Sequence, residues 1–219
     1  IAGEVDPSTP RRYRNLGFLF ADLRAFTPMS EQLPAEEVLH LLNRYYEAIT
    51  PAIHRFDGTI DNFRGDGILA IFGAPRAMPE ASRNAVLAAR TMLEGLQALN
   101  AQLEREGRPA LSMGIGLTTG DAVAGNLGTR RRYGYSAVGD AVNVAARLQS
   151  QCKRLGMKVI ASQAIALAHP DELPFQPLGE LELAGHAPVL AYGVPADCRF
   201  FTPQLSTVPL AAAAPPRRL

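Results

Sequence analysis

Asn62-Phe-Arg-Gly-Asp-Gly-Ile-Leu-Ala-Ile-Phe-Gly73 is the stretch on which the architecture turns. Thr59–Phe63 and Ile68–Phe72 have the composition of short strands, and the glycines of Arg64-Gly-Asp-Gly67 between them suit a tight hairpin with Asp66 at its tip. A second carboxylate closes another apolar run, in Phe18-Leu-Phe-Ala-Asp-Leu-Arg-Ala-Phe-Thr27, where Leu16 to Ala21 read as a buried strand ending at Asp22. A fold that pairs these strands brings both carboxylates to one divalent cation. Magnesium suits such a pair, because it takes few carboxylates and fills its remaining positions with phosphate oxygens and water.

The segments around these strands alternate with helical patterns. Ser30 and Pro34-Ala-Glu-Glu supply helix-start chemistry, and Val38, Leu42, Tyr45, Ile49 and Ile53 recur at helical spacing, which predicts a long amphipathic helix broken near Pro51. Val86, Ala89, Leu93, Leu96, Leu99 and Leu103 predict a second long helix within Pro79–Glu106. Leu111–Leu117 and Ala122–Leu127 read as two short strands separated by Thr119-Gly-Asp121. A helix around Ala141–Gln151, a strand at Lys158–Ala161 and two strands near Leu178–Leu183 and Val189–Val194 follow. The order β-α-β-β-α-β with later additions predicts an α/β sandwich with a ferredoxin-like core, extra C-terminal strands, and helices over one face of a mainly antiparallel sheet.

Bulk composition narrows the function classes. The 219 residues fit one domain with tails, and 47% hydrophobic and 20% charged residues are ordinary for a globular chain. A formal net charge of +1 carries no polyelectrolyte signature, so nucleic acid is not an expected partner. Cys152 and Cys198 form no short-spaced pair, and the four histidines, His40, His54, His169 and His186, have no metal-ligand spacing. No apolar run reaches the length of a membrane span and no signal peptide opens the chain. A cytoplasmic domain without membrane contact of its own is expected, with an upstream sensory or regulatory segment that could tether a longer protein. The boundaries expected are an extension over 1–15, a catalytic domain over 16–195 and a flexible Ala/Pro/Arg tail over 196–219.

The segment Tyr135-Ser-Ala-Val-Gly-Asp-Ala-Val-Asn-Val-Ala-Ala-Arg-Leu148 sets Asn143 and Arg147 four apart, on one face of a helix. Alone, that spacing fits a helix cap and a solvated arginine. Joined with the two acidic segments, it makes the chain resemble the catalytic domain of bacterial-type class III nucleotide cyclases over roughly residues 15–195. The resemblance implies a lyase that converts ATP or GTP to the 3′,5′-cyclic nucleotide and pyrophosphate, using two divalent cations, Mg²⁺ or Mn²⁺. It assigns Asp22, Asp66 and the Leu23 carbonyl to the metals, and the backbone amides of Ala25, Phe26 and Thr27 to the triphosphate, with Arg131 as a further phosphate ligand. It gives Asn143 the ribose and Arg147 the α-phosphate charge in the transition state. It also implies a homodimer whose sites are shared, one subunit supplying Asp22 and Asp66, the other Asn62, Ser136, Asn143 and Arg147.

Base selection departs from the common patterns. Adenylyl cyclases usually carry lysine where this chain has Asn62 and aspartate or threonine where it has Ser136; eukaryotic guanylyl cyclases usually carry glutamate and cysteine. An amide and a hydroxyl can each donate or accept, so either purine can be served. Ser136 resembles the bacterial threonine, which favours ATP and cyclic AMP, with GTP as the alternative. A lysine often found at the place of Ala184 is also missing. That absence leaves open a degenerate regulatory domain that binds nucleotide without turnover. A diguanylate cyclase is disfavoured, because Arg64-Gly-Asp-Gly67 does not match its Gly-Gly-Asp/Glu-Glu-Phe hairpin.

Overall fold

The computed structural model describes residues 9–129 and 132–198. The chain runs β1 (Arg11–Leu23), α1 (Phe26–Ser30), α2 (Ala35–Arg55), β2 (Thr59–Arg64), β3 (Gly67–Phe72), α3 (Ala81–Arg105), β4 (Met113–Thr129), β5 (Arg132–Val138), α4 (Asp140–Arg154), β6 (Met157–Ser162), α5 (Gln163–Ala168), β7 (Gln176–Leu181) and β8 (Val189–Pro195). One sheet orders the strands β2-β3-β1-β4-β6-β8-β7, and β5 pairs with β4. The β4–β6 pairing is parallel, while the other pairings are antiparallel. This is the expected α/β sandwich on a ferredoxin-like core.

The alternation of side chains along the strands divides the core in two. Leu19, Ala21 and Leu23 of β1 face the same side as Ile68, Ala70 and Phe72 of β3 and Met113, Ile115 and Leu117 of β4, and they pack against α2 and α3. Leu16 and Phe18 face the other side, with Ile71 of β3 and Ala145 of α4. Farther along, Val144, Leu148 and Cys152 of α4 cover Ile160 of β6 and Ala191 of β8. Helices therefore cover both faces, where the sequence pattern predicts one. Because β3 is enclosed from both sides, all six of its residues are buried, and its run is uniformly apolar.

Three local expectations are corrected. Helix α2 is continuous through Pro51, which lies on the exposed face between buried Ile49 and Ala52, so packing on either side carries the helix past the missing N–H. The Thr119-Gly-Asp121 segment does not separate two strands: β4 is one strand of 17 residues, held by pairing to β1 from Met113 to Ala124. Asp121 instead accepts the backbone N–H of Asn15 at 3.2 Å, where β1 is irregular and Asn15 takes a left-handed φ of 54°. Strand β1 also starts at Arg11, before the apolar run at Leu16, because its polar end pairs with Val123 and Ala124. Of the expected extension and tail, 1–8 and 199–219 lie outside the described residues. Ala196 donates to the Gly156 carbonyl at 2.9 Å.

Helix α4 approaches the sheet backbone directly. A Cβ at Gly116 would stand 2.0 Å from the Ala145 carbonyl oxygen and 2.6 Å from the Gln149 nitrogen, and one at Gly114 would stand 2.8 Å from the Cys152 Cβ. Gly95 plays the same part between α3 and α2, where a Cβ would stand 2.2 Å from the Ala48 carbonyl oxygen. Gly116→Ala is expected to destabilise the domain by about 3 kcal/mol, because backbone atoms rather than a flexible side chain must move. Urea denaturation checks it, and an unchanged midpoint would show that α4 is not seated as described.

Candidate active site

The site begins with the register of β1. Ala21 pairs with Ile68 of β3, so the β2–β3 turn carrying Asp66 lies next to the end of β1, where Asp22 pairs with Gly114 of β4. The two carboxyl groups are near enough for Asp66 to act on Asp22, with the Leu23 backbone N–H acting on it in the opposite sense. Burial, followed by the neighbouring Asp66 charge, raises the Asp22 pKa from 3.8 to about 7. Asp22 Oδ1 is buried without a hydrogen-bond partner. A buried carboxylate oxygen with no donor, beside a second carboxylate, is a poor arrangement for the protein alone and a good one for a cation. Among the described residues no group of three or more His, Cys, Asp or Glu could hold a metal. Two carboxylates are nevertheless a set that magnesium accepts when phosphate and water complete its shell.

Tyr46, on α2, secures the turn, and sequence reasoning missed it. Its hydroxyl donates to the Gly65 carbonyl at 2.6 Å and lies 3.3 Å from that of Gly67, so it spans Asp66 from both sides. Its ring meets Phe63 edge-on at 4.5 Å. Burial and then the charges of Asp66 and Asp22 push its pKa to about 12, which keeps the phenol a donor. The helical stripe signals that α2 faces the core, but a spacing pattern does not reveal a hydroxyl reaching a turn.

The segment after Asp22 also forms a tight structure. Arg24 N–H bonds to the Ser112 carbonyl at 2.7 Å, Ala25 takes a left-handed φ of 53°, and α1 begins at Phe26, whose ring is buried. The first N–H groups of a helix have no intrahelical acceptor. Those of Ala25, Phe26 and Thr27 stand at that position.

Asn143 and Arg147 lie on α4, with Asn143 exposed and Arg147 half-buried. Val144, Ala145 and Leu148 turn inward and fix the helix face. The loop containing Ala184 runs past this helix: a Cβ at Gly185 would stand 3.8 Å from Arg147 Nη2, and His186 Nε2 lies 2.9 Å from Asp140 Oδ2. Among the described residues no hydrogen bond or ion pair joins Asp22 or Asp66 to Asn143 or Arg147. Asn62 and Ser136 lie on β2 and β5, which are neighbours, and the Ser136 hydroxyl donates to Asp61 Oδ2 at 2.6 Å. Asp61 was not among the sequence candidates. Arg131 lies outside the described residues.

The raised Asp22 pKa gives a signed prediction. The fold holds this proton more tightly than the unfolded chain, so without metal the contribution of Asp22 to stability is full at low pH and is lost as pH rises from about 4 to about 7. Asp22→Asn is expected to flatten that part of the thermal-unfolding profile. Added Mg²⁺ is expected to restore stability at the high-pH end in the native chain alone. Equal profiles for the two proteins would contradict the raised pKa. Tyr46→Phe, which deletes only the latch hydroxyl, is expected to weaken Mg²⁺ stabilisation severalfold with about 1 kcal/mol lost from the fold; metal titration followed by unfolding temperature checks it.

The family model described as the adenylate and guanylate cyclase catalytic domain matches residues 9–195. Adenylate cyclase 1 of Rhizobium meliloti is 36% identical over 172 residues, 78% of this chain and 26% of its own length. This chain thus spans about a quarter of that relative. The guanylyl cyclase Cya2 superposes with a TM-score of 0.74 at 34% identity, covering 86% of this chain and 93% of Cya2. The adenylyl cyclase CyaB from P. aeruginosa superposes with a TM-score of 0.76 at 30% identity, covering 88% of this chain and 98% of its own. With a family model spanning nearly the whole described chain, and with paired strand-end carboxylates and the Asn143–Arg147 helix in place, this chain belongs to the adenylate and guanylate cyclase catalytic domain family.

Proposed function

We propose that this domain converts a purine nucleoside triphosphate, ATP in preference, to the 3′,5′-cyclic nucleotide and pyrophosphate. The observation that carries this reading is the Asp22–Asp66 pair with its unpartnered buried oxygen. Asp22 and Asp66, with the Leu23 carbonyl, would hold two divalent cations, Mg²⁺ or Mn²⁺. Bound there, the cations acidify the attacking hydroxyl and neutralise triphosphate charge.

The chain's own groups account for the rest. The Ala25, Phe26 and Thr27 amides bind triphosphate oxygens, as helix-start N–H groups do, and Arg131 adds charge. Asn143 orients the ribose so that its 3′ oxygen lies in line with the α-phosphorus. That oxygen forms the new P–O bond, its proton leaves to solvent, and the bond to the β-phosphate breaks. Arg147 stabilises the charge that builds on the α-phosphate, for which a planar, permanently charged guanidinium is well suited.

The reading includes a homodimer with two shared sites. The separation of the carboxylate pair from Asn143 and Arg147 within one chain supports it. So does the β4–β5 hairpin, where Val123, Leu127 and Val138 lie on the face that carries Ser136, with Leu127 61% and Val138 65% exposed. GTP is the second reading. It is favoured by Asn62, whose amide can turn either way, and by the likeness to the guanylyl cyclase Cya2.

Incubation with ATP and GTP separately, under Mn²⁺, followed by product chromatography tests the activity. Cyclic AMP is expected as the main product, and Asp22→Ala and Asp66→Ala are each expected to abolish it. Turnover surviving in both variants sinks the metal assignment. Arg147→Ala is expected to lower kcat by roughly 10²–10³-fold. Mixing Asp22→Ala with Arg147→Ala protein is expected to recover activity, because one site of the heterodimer is intact; no recovery despite measured subunit exchange rules out sharing.

A further inference from the structure

The hydrogen bond between Ser136 and Asp61 has a consequence for the base. Ser136 pairs with Gly125 on the β4–β5 hairpin, and its hydroxyl lies 2.6 Å from Asp61 Oδ2, a length typical of a hydroxyl donating to a carboxylate. The register of β2 makes this meeting possible. Ile60 pairs with Ala70 and Asn62 with Leu69, so Asp61 is an extra residue on its strand, as in a β-bulge, and lies beside β5 rather than in the ladder. Both residues are half-buried, which strengthens the bond relative to one in open water.

A serine hydroxyl has one proton and two acceptor lone pairs. With its proton committed to Asp61, Ser136 offers the rest of its surroundings lone pairs alone. Adenine carries an amino donor at its six-position. Guanine carries a carbonyl acceptor there, which would meet lone pairs without a proton between them. We propose that Asp61 is a positioning residue that fixes Ser136 as a hydrogen-bond acceptor and thereby biases the domain towards ATP over GTP. This rests on Ser136 facing the six-position edge of the base, as in the function proposed above. Asn62 then needs to supply only a donor, to adenine N1, and its amide can turn to do so. A carboxylate next to the reading position thus resolves an ambiguity that Asn62 and Ser136 carry when considered alone.

The test is the ratio of kcat/KM for ATP to that for GTP in five proteins: native, Asp61→Asn, Asp61→Ala, Ser136→Ala, and Asp61→Ala combined with Ser136→Ala, the last compared with Ser136→Ala alone. Removing the carboxylate is expected to lower the ratio on the order of tenfold in Asp61→Ala, mainly through a gain for GTP, and by less in Asp61→Asn, whose amide can donate to the Ser136 hydroxyl as well as accept from it. Asp61→Asn keeps the size of the side chain, so it guards against a variant that fails to fold. In the Ser136→Ala background the Asp61 substitution is expected to leave the ratio unchanged. A parallel fall for both nucleotides, or an unchanged ratio, reduces Asp61 to a structural role and overturns the proposal. A shift that persists without the Ser136 hydroxyl overturns it too, because Asp61 would then act on the base itself. If the native domain forms no cyclic product, the cyclase reading fails separately. The dissociation constants of ATP and GTP, measured calorimetrically in the same five proteins, then test Asp61 through the same ratio, and equal native constants overturn the proposal.

Discussion

Two carboxyl groups forced together at the ends of adjacent strands are the constraint around which this domain is organised. Burial and the neighbouring Asp66 charge both disfavour the ionised form of Asp22, and its raised pKa records that cost. The fold tolerates the pair because two independent features fix it: the β1–β3 register and the Tyr46 hydroxyl on the turn. Each belongs to an element with its own deep packing. An electrostatically unfavourable cluster persists in a native structure when its surroundings over-determine it, and such clusters gather at functional sites.

The second group of candidate residues is placed by a different device. Gly114 and Gly116 remove the side-chain layer between β4 and α4, and Gly120 does the same near Ala141. The helix bearing Asn143 and Arg147 is thus located by backbone contact. Its inner face of Val144, Ala145, Leu148 and Cys152 leaves those two polar residues at the margin. The carboxylates stand on β1 and the β2–β3 turn, the helix rests on β4, β6 and β1, and among the described residues no hydrogen bond or ion pair joins the two groups.

Much of this arrangement is legible in the sequence, for physical reasons. Strand β3 and the Leu16–Ala21 part of β1 are almost wholly apolar because both faces are covered, and the acids next to them stand out against that background. The 3.6-residue repeats of α2 and α3 are long enough to be unmistakable. What escaped detection depends on tertiary pairing. Thr119-Gly-Asp121 has turn chemistry, yet a continuous β1 ladder keeps it extended, and Pro51 is tolerated because its neighbours are packed. Strand β5 carries no alternating pattern of its own, because it is defined by its pairing with β4. Tyr46 and Asp61 share this character: each acts through a partner distant in sequence, so no local pattern marks it. The Asp22–Asp66 pair could be anticipated because both members sit at turns, whereas Asp61 was hidden one residue from a position already under scrutiny.

The glycine seat of α4 also has a mechanical meaning. A helix that rests on side chains can slide as those side chains change rotamer, but one that rests on backbone has no such bearing surface. Asn143 and Arg147 are accordingly rigid with the sheet, and therefore with the strand end that bears Asp22. In an assembly of two such bodies, the gap between one carboxylate pair and the facing arginine is set by how the bodies sit against each other. Under the shared-site reading proposed above, control of the site acts on the seating of one subunit against the other, with each domain serving as a solid part.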